Sequence, residues 1–262
     1  MSSTPAAAAE APDSTNGSPL TRKGQATRAR IVKVAADLIF ERGVAGTSTD
    51  DVRREAKVSG SQMTHYFQDK RSLVHAVIDY QLDAVLDFHT QPQLGRLDSF
   101  EALRLWADLN IEKTLDQNVE GGCPFGSLAG ELAESDPHTR SDLAAGYDRW
   151  AAVLRSGLAA MRRRGELRAE AKPEVLASLL LAAHQGGSLL SATKRDIKPL
   201  RDALDAALNY VYSYAVDGTE PPRSRRRSAP RKSTSTSATK RSSSAGQSGR
   251  RQQRGGKVSR AK

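Results

Sequence analysis

Apolar residues along the chain recur every three to four positions, and two-residue alternation is nowhere sustained. Ile31, Val34, Ala35, Leu38 and Ile39 form an i, i+3, i+4, i+7, i+8 stripe. The pattern predicts a first helix over about Thr21–Arg42, with Gly43 as its stop. A short second helix is predicted over Ser48–Ala56. It opens on Ser48 and Thr49 with Asp50 and Asp51 behind them, which is capping chemistry with acids in the first turn. Lys57-Val58-Ser59 then interrupts the pattern, and Ser59 caps a third helix, Gly60–Phe67. Further helices are predicted over Lys70–His89, about Asp98–Asn118, a short piece ending near Ala133, about Pro137–Arg164, about Pro173–Thr193 and about Pro199–Val216. The expected fold class is all-α with about nine helices.

Both ends fall outside this pattern. Residues 1–20 are rich in Ala, Ser, Pro and Thr without periodicity and are expected to form a disordered arm. From Gly218 to Lys262 there are 14 Lys and Arg against one acid, Glu220, and one branched apolar residue, Val258. Such a segment buries too little surface to offset chain entropy, so residues 218–262 are expected to be a disordered basic tail. The whole chain carries a formal +10, which leaves −3 for residues 1–217, so the basicity belongs to the tail. Polyanions, with nucleic acid first, are its natural partners.

Other classes drop out. Cys123 is the single cysteine, which excludes an internal disulfide and a multi-cysteine metal site. The five histidines show no HExxH or comparable spacing, and no nucleophile, base and orienting residue assemble around Cys123. No metal, cofactor or enzymatic activity is expected. The longest apolar run, Val175–Ala183, contains a serine and falls short of the ~20 residues of a membrane helix. Met1–Leu20 lacks the pattern of a secretory signal. The expectation is a cytoplasmic, nucleoid-associated protein with no membrane partner.

The second and third helices, joined by the turn Lys57–Ser59, have helix-turn-helix spacing. In such a unit the start of the second helix meets base edges in the major groove. Gly60 and Ser61 are small enough for close approach, and Gln62 suits a bidentate contact to adenine. Thr64, His65 and Tyr66 follow with hydroxyl or ring donors, and Lys70 supplies charge for phosphate. Val58, Met63 and Phe67 are spaced to pack inward. The same residues also fit the solvated face of two connector helices, with His65 and Tyr66 packed in part on the first helix.

The run Gly43-x-x-x-Thr47-Ser48-x-x-Asp51-Val52, then Ala56-x-Val58-Ser59, then His65-Tyr66-Phe67-x-x-Lys70-x-x-Leu73 resembles the N-terminal domain of the TetR family of transcriptional regulators. The resemblance spans about Arg28–Leu73 with unbroken spacing. It implies that Gly60, Ser61, Gln62 and Thr64 face the groove and that Thr49, Tyr66 and Lys70 contact phosphate. The family more often has Gly where Lys57 and Ser61 stand, and Tyr where Thr64 stands. Residues from about Leu82 to Val216 are more loosely similar to the family's helical ligand-binding and dimerisation domain.

The organisation implied is an arm (1–20), a helix-turn-helix domain (21–70), a ligand-binding and dimerisation domain (71–217) and the tail (218–262). The function implied is a ligand-responsive, sequence-specific regulator, most often a repressor, acting as a homodimer on a palindromic operator in double-stranded DNA. The implied effector is small and apolar or amphipathic. Trp106, Phe125, Tyr147 and Trp150 are apolar candidates to line its cavity, and Asn110, Cys123 and His184 are polar ones. Each aromatic also reads as plain core, His184 as a satisfied core histidine, and Cys123 as a small buried residue. A second function stays open: an architectural protein of the nucleoid, dominated by its basic tail and weakly selective for sequence.

Overall fold

The computed structural model describes residues 20–135 and 137–216; the expected arm, up to residue 19, and the expected tail lie outside the described residues. Among the described residues there are nine α-helices: α1 Arg22–Arg42, α2 Thr49–Glu55, α3 Gly60–Tyr66, α4 Lys70–His89, α5 Phe100–Asp116, α6 Pro124–Leu132, α7 Pro137–Arg163, α8 Pro173–Lys194 and α9 Lys198–Tyr212. One 3-10 turn, Pro92–Leu94, links α4 to α5.

Most starts are written locally. The Thr21 hydroxyl accepts from the Gly24 amide at the head of α1. Reciprocal capping boxes open α2 (Ser48 with Asp51), α3 (Ser59 with Gln62) and α4 (Asp69 with Ser72). Proline in the first turn opens α6, α8 and α9, where its missing N–H costs nothing. Helices of seven residues are marginal alone, so α2 and α3 depend on what they bury. Val52, Val58, Met63 and Phe67 are all buried, in one hydrophobic cluster with Ile31 and Ala35 of α1 and Leu73 and Val77 of α4. At roughly 1.5–3 kcal/mol per fully buried large apolar side chain, Met63 and Phe67 suffice to hold α3 in place.

The turn between α2 and α3 carries strain. Lys57 has φ 53°, the left-handed region that glycine enters freely. Its side chain is exposed, so nothing packs on it. Lys57→Gly is therefore expected to relieve strain worth about 1–2 kcal/mol, offset by roughly 0.5–1 kcal/mol of added chain entropy. The net gain of about 0.5–1 kcal/mol would raise the melting temperature by a few degrees. An unchanged or lower value in a thermal melt would show that the turn is not strained.

In the second half, α4 to α9 close around Leu103, Trp106, Trp150, Leu154, Leu158, Leu180, Leu204 and Leu208, all buried. Gly187 lets α8 and α9 cross closely, since a Cβ there would stand 2.8 Å from Leu200 Cα. Two expectations need correction. By length and composition α8 is apolar enough to cross a membrane, although Ser178, His184, Gln185 and Ser188 break it into short apolar runs. Here it packs on α7 and α9 as a core helix, with Leu176, Ala177, Leu180 and Leu181 buried. The last helix also ends one turn early. The Arg168 amide donates to the Tyr214 carbonyl at 2.8 Å, and Leu167 pairs with Ala215, so a distant segment pulls the chain out of its helix.

Candidate DNA-reading helix and ligand cavity

α3 shows one polar face to solvent. Gly60, Ser61, Gln62, Thr64 and His65 are exposed, while Met63 and Phe67 point inward. The polar groups are ordered by local bonds. Gln62 Oε1 accepts from the Ser59 amide at 2.9 Å, the Ser59 and Ser61 hydroxyls lie 2.9 Å apart, and the Thr64 hydroxyl donates to the Gly60 carbonyl at 3.2 Å. The Gln62 carbonyl holds the capping box with one lone pair, which leaves Oε1 a second site to accept and Nε2 its two N–H groups to donate, the pair that a bidentate contact to adenine uses.

Tyr66 is half-buried. Its hydroxyl lies at the first turn of α1, 3.4 Å from where a Cβ on Gly24 would stand, and its ring meets the His65 edge at 4.9 Å. Thr49 is half-buried at the start of α2. Lys70 is half-buried too, and its ammonium donates to the Val44 carbonyl at 2.5 Å. That bond ties the head of α4 to the loop between α1 and α2.

The same loop is held from the other side. The Glu131 carboxylate, near the end of α6, accepts the Val44 and Ala45 amides, each at 2.9 Å. One α6 side chain therefore clamps the backbone that positions α2 and α3. Further along α6, Gly126, Ser127, Ala129 and Gly130 line a cavity of about 450 Å³ that also meets Tyr147, Gln185, Leu189 and Ala192. A smaller cavity of about 60 Å³ lies between α4, α5, α7 and α8, lined in part by Phe88, Asn110, Lys113, Trp150 and His184. Gly122 and Cys123 line both.

Of the seven residues expected at a ligand, Asn110, Cys123, Tyr147, Trp150 and His184 line one or both cavities. Trp106 and Phe125 do not line them; both are fully buried behind the walls. Phe125 meets the Tyr147 ring edge at 5.0 Å, and Trp106 serves a polar cluster. At its centre is His89, which no sequence signal marked. The Trp106 and Trp150 indole N–H groups both donate to His89 Nε2 at 2.8 Å, and His89 Nδ1 lies 2.7 Å from the Val85 carbonyl. Because Nε2 accepts twice, the ring proton sits on Nδ1 and donates to Val85. Burial pushes the His89 pKa down to about 4, with the Val85 bond opposing and the Lys113 charge assisting. His184 lies tilted to the Trp106 ring at 6.1 Å and edge-on to the Trp150 ring at 5.3 Å; burial first, then His89 and Lys113, push it down to about 3. Both imidazoles are thus neutral near pH 7. Burial also pushes Tyr147 up to about 12, so its hydroxyl keeps its proton.

Comparison with known proteins covers both halves. The family model for bacterial regulatory proteins of the tetR family matches residues 31–77, and that for the tetracyclin repressor-like C-terminal domain matches residues 100–207. The HTH-type transcriptional repressor DhaR of Mycobacterium sp. (strain GP1) is 24% identical over 200 residues, 74% of this chain and 94% of that protein. An uncharacterised HTH-type transcriptional regulator of Mycobacterium tuberculosis is 29% identical over 182 residues, 67% of this chain and 89% of that protein. Among solved structures, a TetR transcriptional regulator from Chloroflexus aurantiacus superposes with a TM-score of 0.64 at 27% identity, covering 74% of this chain and 98% of the other.

Proposed function

Because the chain belongs to the TetR family of transcriptional regulators, we propose that it reads a two-fold symmetric operator as a homodimer and that an effector in the α6–α8 cavity controls this binding. The carrying observation is the outward polar face of α3, anchored by Met63 and Phe67. Gly60, Ser61, Gln62, Thr64 and His65 meet the groove, and Thr49, Tyr66 and Lys70 meet phosphate. The protein works in the cytoplasm, where its DNA is. Its relatives are regulators and give no support to an architectural role.

The dimer reading rests on α8. A helix apolar on all sides needs cover on all sides. One side of α8 faces the core; the other leaves Val175 53% and Leu190 50% exposed, and Tyr210 of α9 is 46% exposed. A second copy of the same face satisfies this need and sets two α3 helices for two half-sites. Glu131 gives the effector a lever. A ligand that moves α6 changes the clamp on Val44 and Ala45, and so the population competent for DNA, to the extent of its differential affinity for the two states.

The test pairs Val175→Glu with Leu190→Glu. Both side chains are exposed in one protomer, so helicity should be unchanged. Sedimentation at micromolar concentration is expected to show a monomer instead of a dimer, and affinity for the DNA flanking the gene should fall by about a hundredfold or more as the second half-site is lost. A dimer that survives both carboxylates would contradict this interface.

A further inference from the structure

We propose that the effector is an organic anion, a carboxylate on an apolar or aromatic body, with its charged end held between Lys113, His184 and the start of α6; this rests on the cavity being the effector site. Three independent features converge there. Among the described residues lining the two cavities, Lys113 is the charged one and none is an aspartate or glutamate. His184 lines the inner cavity, is 7% exposed, and its buried Nδ1 has no hydrogen-bond partner among the described residues. α6 begins at Pro124 between the cavities without a side-chain cap. Its first backbone bond runs from the Ser127 amide to the Cys123 carbonyl at 2.8 Å, so the Phe125 and Gly126 amides precede the ladder at the positive end of the helix.

A carboxylate answers all three. It offsets the Lys113 charge, accepts from a His184 tautomer protonated at Nδ1, and meets the positive end of α6. Burial, then His89 and the Lys113 charge, keep His184 uncharged, which suits a neutral donor beside an anion. The remaining surface is apolar: Phe88 and Trp150 flank the inner end, and Leu189 and Ala192 the outer one. A neutral amide of the same shape keeps the apolar contacts but loses the charge-assisted bonds.

The chain has two tryptophans, Trp106 and Trp150, both bonded to His89 beside the cavity, so their emission reports occupancy. The full chain would be titrated with 4-phenylbutanoate and octanoate, each against its primary amide, with operator release followed in parallel. The acids are expected to bind about tenfold or more tighter than the amides, and Lys113→Gln to erase that preference. Lys113 is exposed, so the variant should fold. Equal binding of acid and amide, a preference that survives Lys113→Gln, or no emission change from any probe at millimolar concentration overturns the proposal. If acids and amides bind equally and both release DNA, the effector site stands and the anion does not. If acids are preferred but DNA binding is unaltered, the anion site stands and its role as effector does not.

Discussion

Replacing His89 by alanine is expected to lower the free energy of unfolding by about 3–5 kcal/mol. The imidazole accepts two indole N–H groups at 2.8 Å inside the core. Removing it strands both donors, at about 1–3 kcal/mol each, and leaves a void where the ring stood. No other acceptor is bonded to either indole among the described residues. The midpoint of a urea titration measures the loss; a change below about 1 kcal/mol would mean that the indoles are not anchored there.

The same ring gives the fold a pH dependence with a definite sign. His89 has a folded pKa of about 4 against an ordinary 6.5, and His184 one of about 3. Between about pH 6.5 and the folded values, the unfolded chain binds protons that the folded chain does not. Stability is therefore complete above about pH 6.5 and falls as the pH drops through the window, levelling off below the folded pKa values. The slope is about 1.4 kcal/mol per pH unit for each imidazole, or about 2 kcal/mol from His89 between pH 7 and pH 5. His89→Ala should flatten its share of this slope.

Gly60→Glu is expected to abolish operator binding without harming the fold. A Cβ at Gly60 meets nothing within 4 Å, so the larger side chain projects into solvent. Gly60 is also the first residue of α3, where a carboxylate stabilises a helix by about 0.3–1 kcal/mol. Against DNA the same change is costly. It keeps the backbone away from the base edges and sets a negative charge among phosphates. Affinity should fall by about a hundredfold or more, roughly 2.7 kcal/mol, while the melting temperature holds or rises. Anisotropy titration on labelled operator reads the first and a thermal melt the second. Binding within about threefold of the wild-type value would remove α3 from the interface.

Much of this architecture is legible in the sequence because its signals are local. Ser48 and Ser59 announce their helices by capping, and Met63 and Phe67 show their inward face by spacing alone. What eluded the sequence is carried by distant pairs. His89 sits at a helix end, and its indole partners are 17 and 61 residues away. Glu131 bonds two backbone amides 87 and 86 positions back, and a backbone amide leaves no mark on a sequence. The end of α9 is set by pairing with Leu167. Trp106 and Trp150 show why lining residues are hard to tell from core. Both are buried and bonded to one imidazole, yet Trp150 borders the cavity and Trp106 does not.

Whether two copies of α3 read a two-fold site is decided by footprinting the full chain on the DNA flanking its own gene, across a salt series. The expected result is a discrete, near-symmetric footprint with two half-sites one helical turn or a multiple apart, weakening with salt but keeping its boundaries, and absent for Gly60→Glu. Diffuse protection without boundaries, lost as salt rises and indifferent to Gly60→Glu, would contradict it.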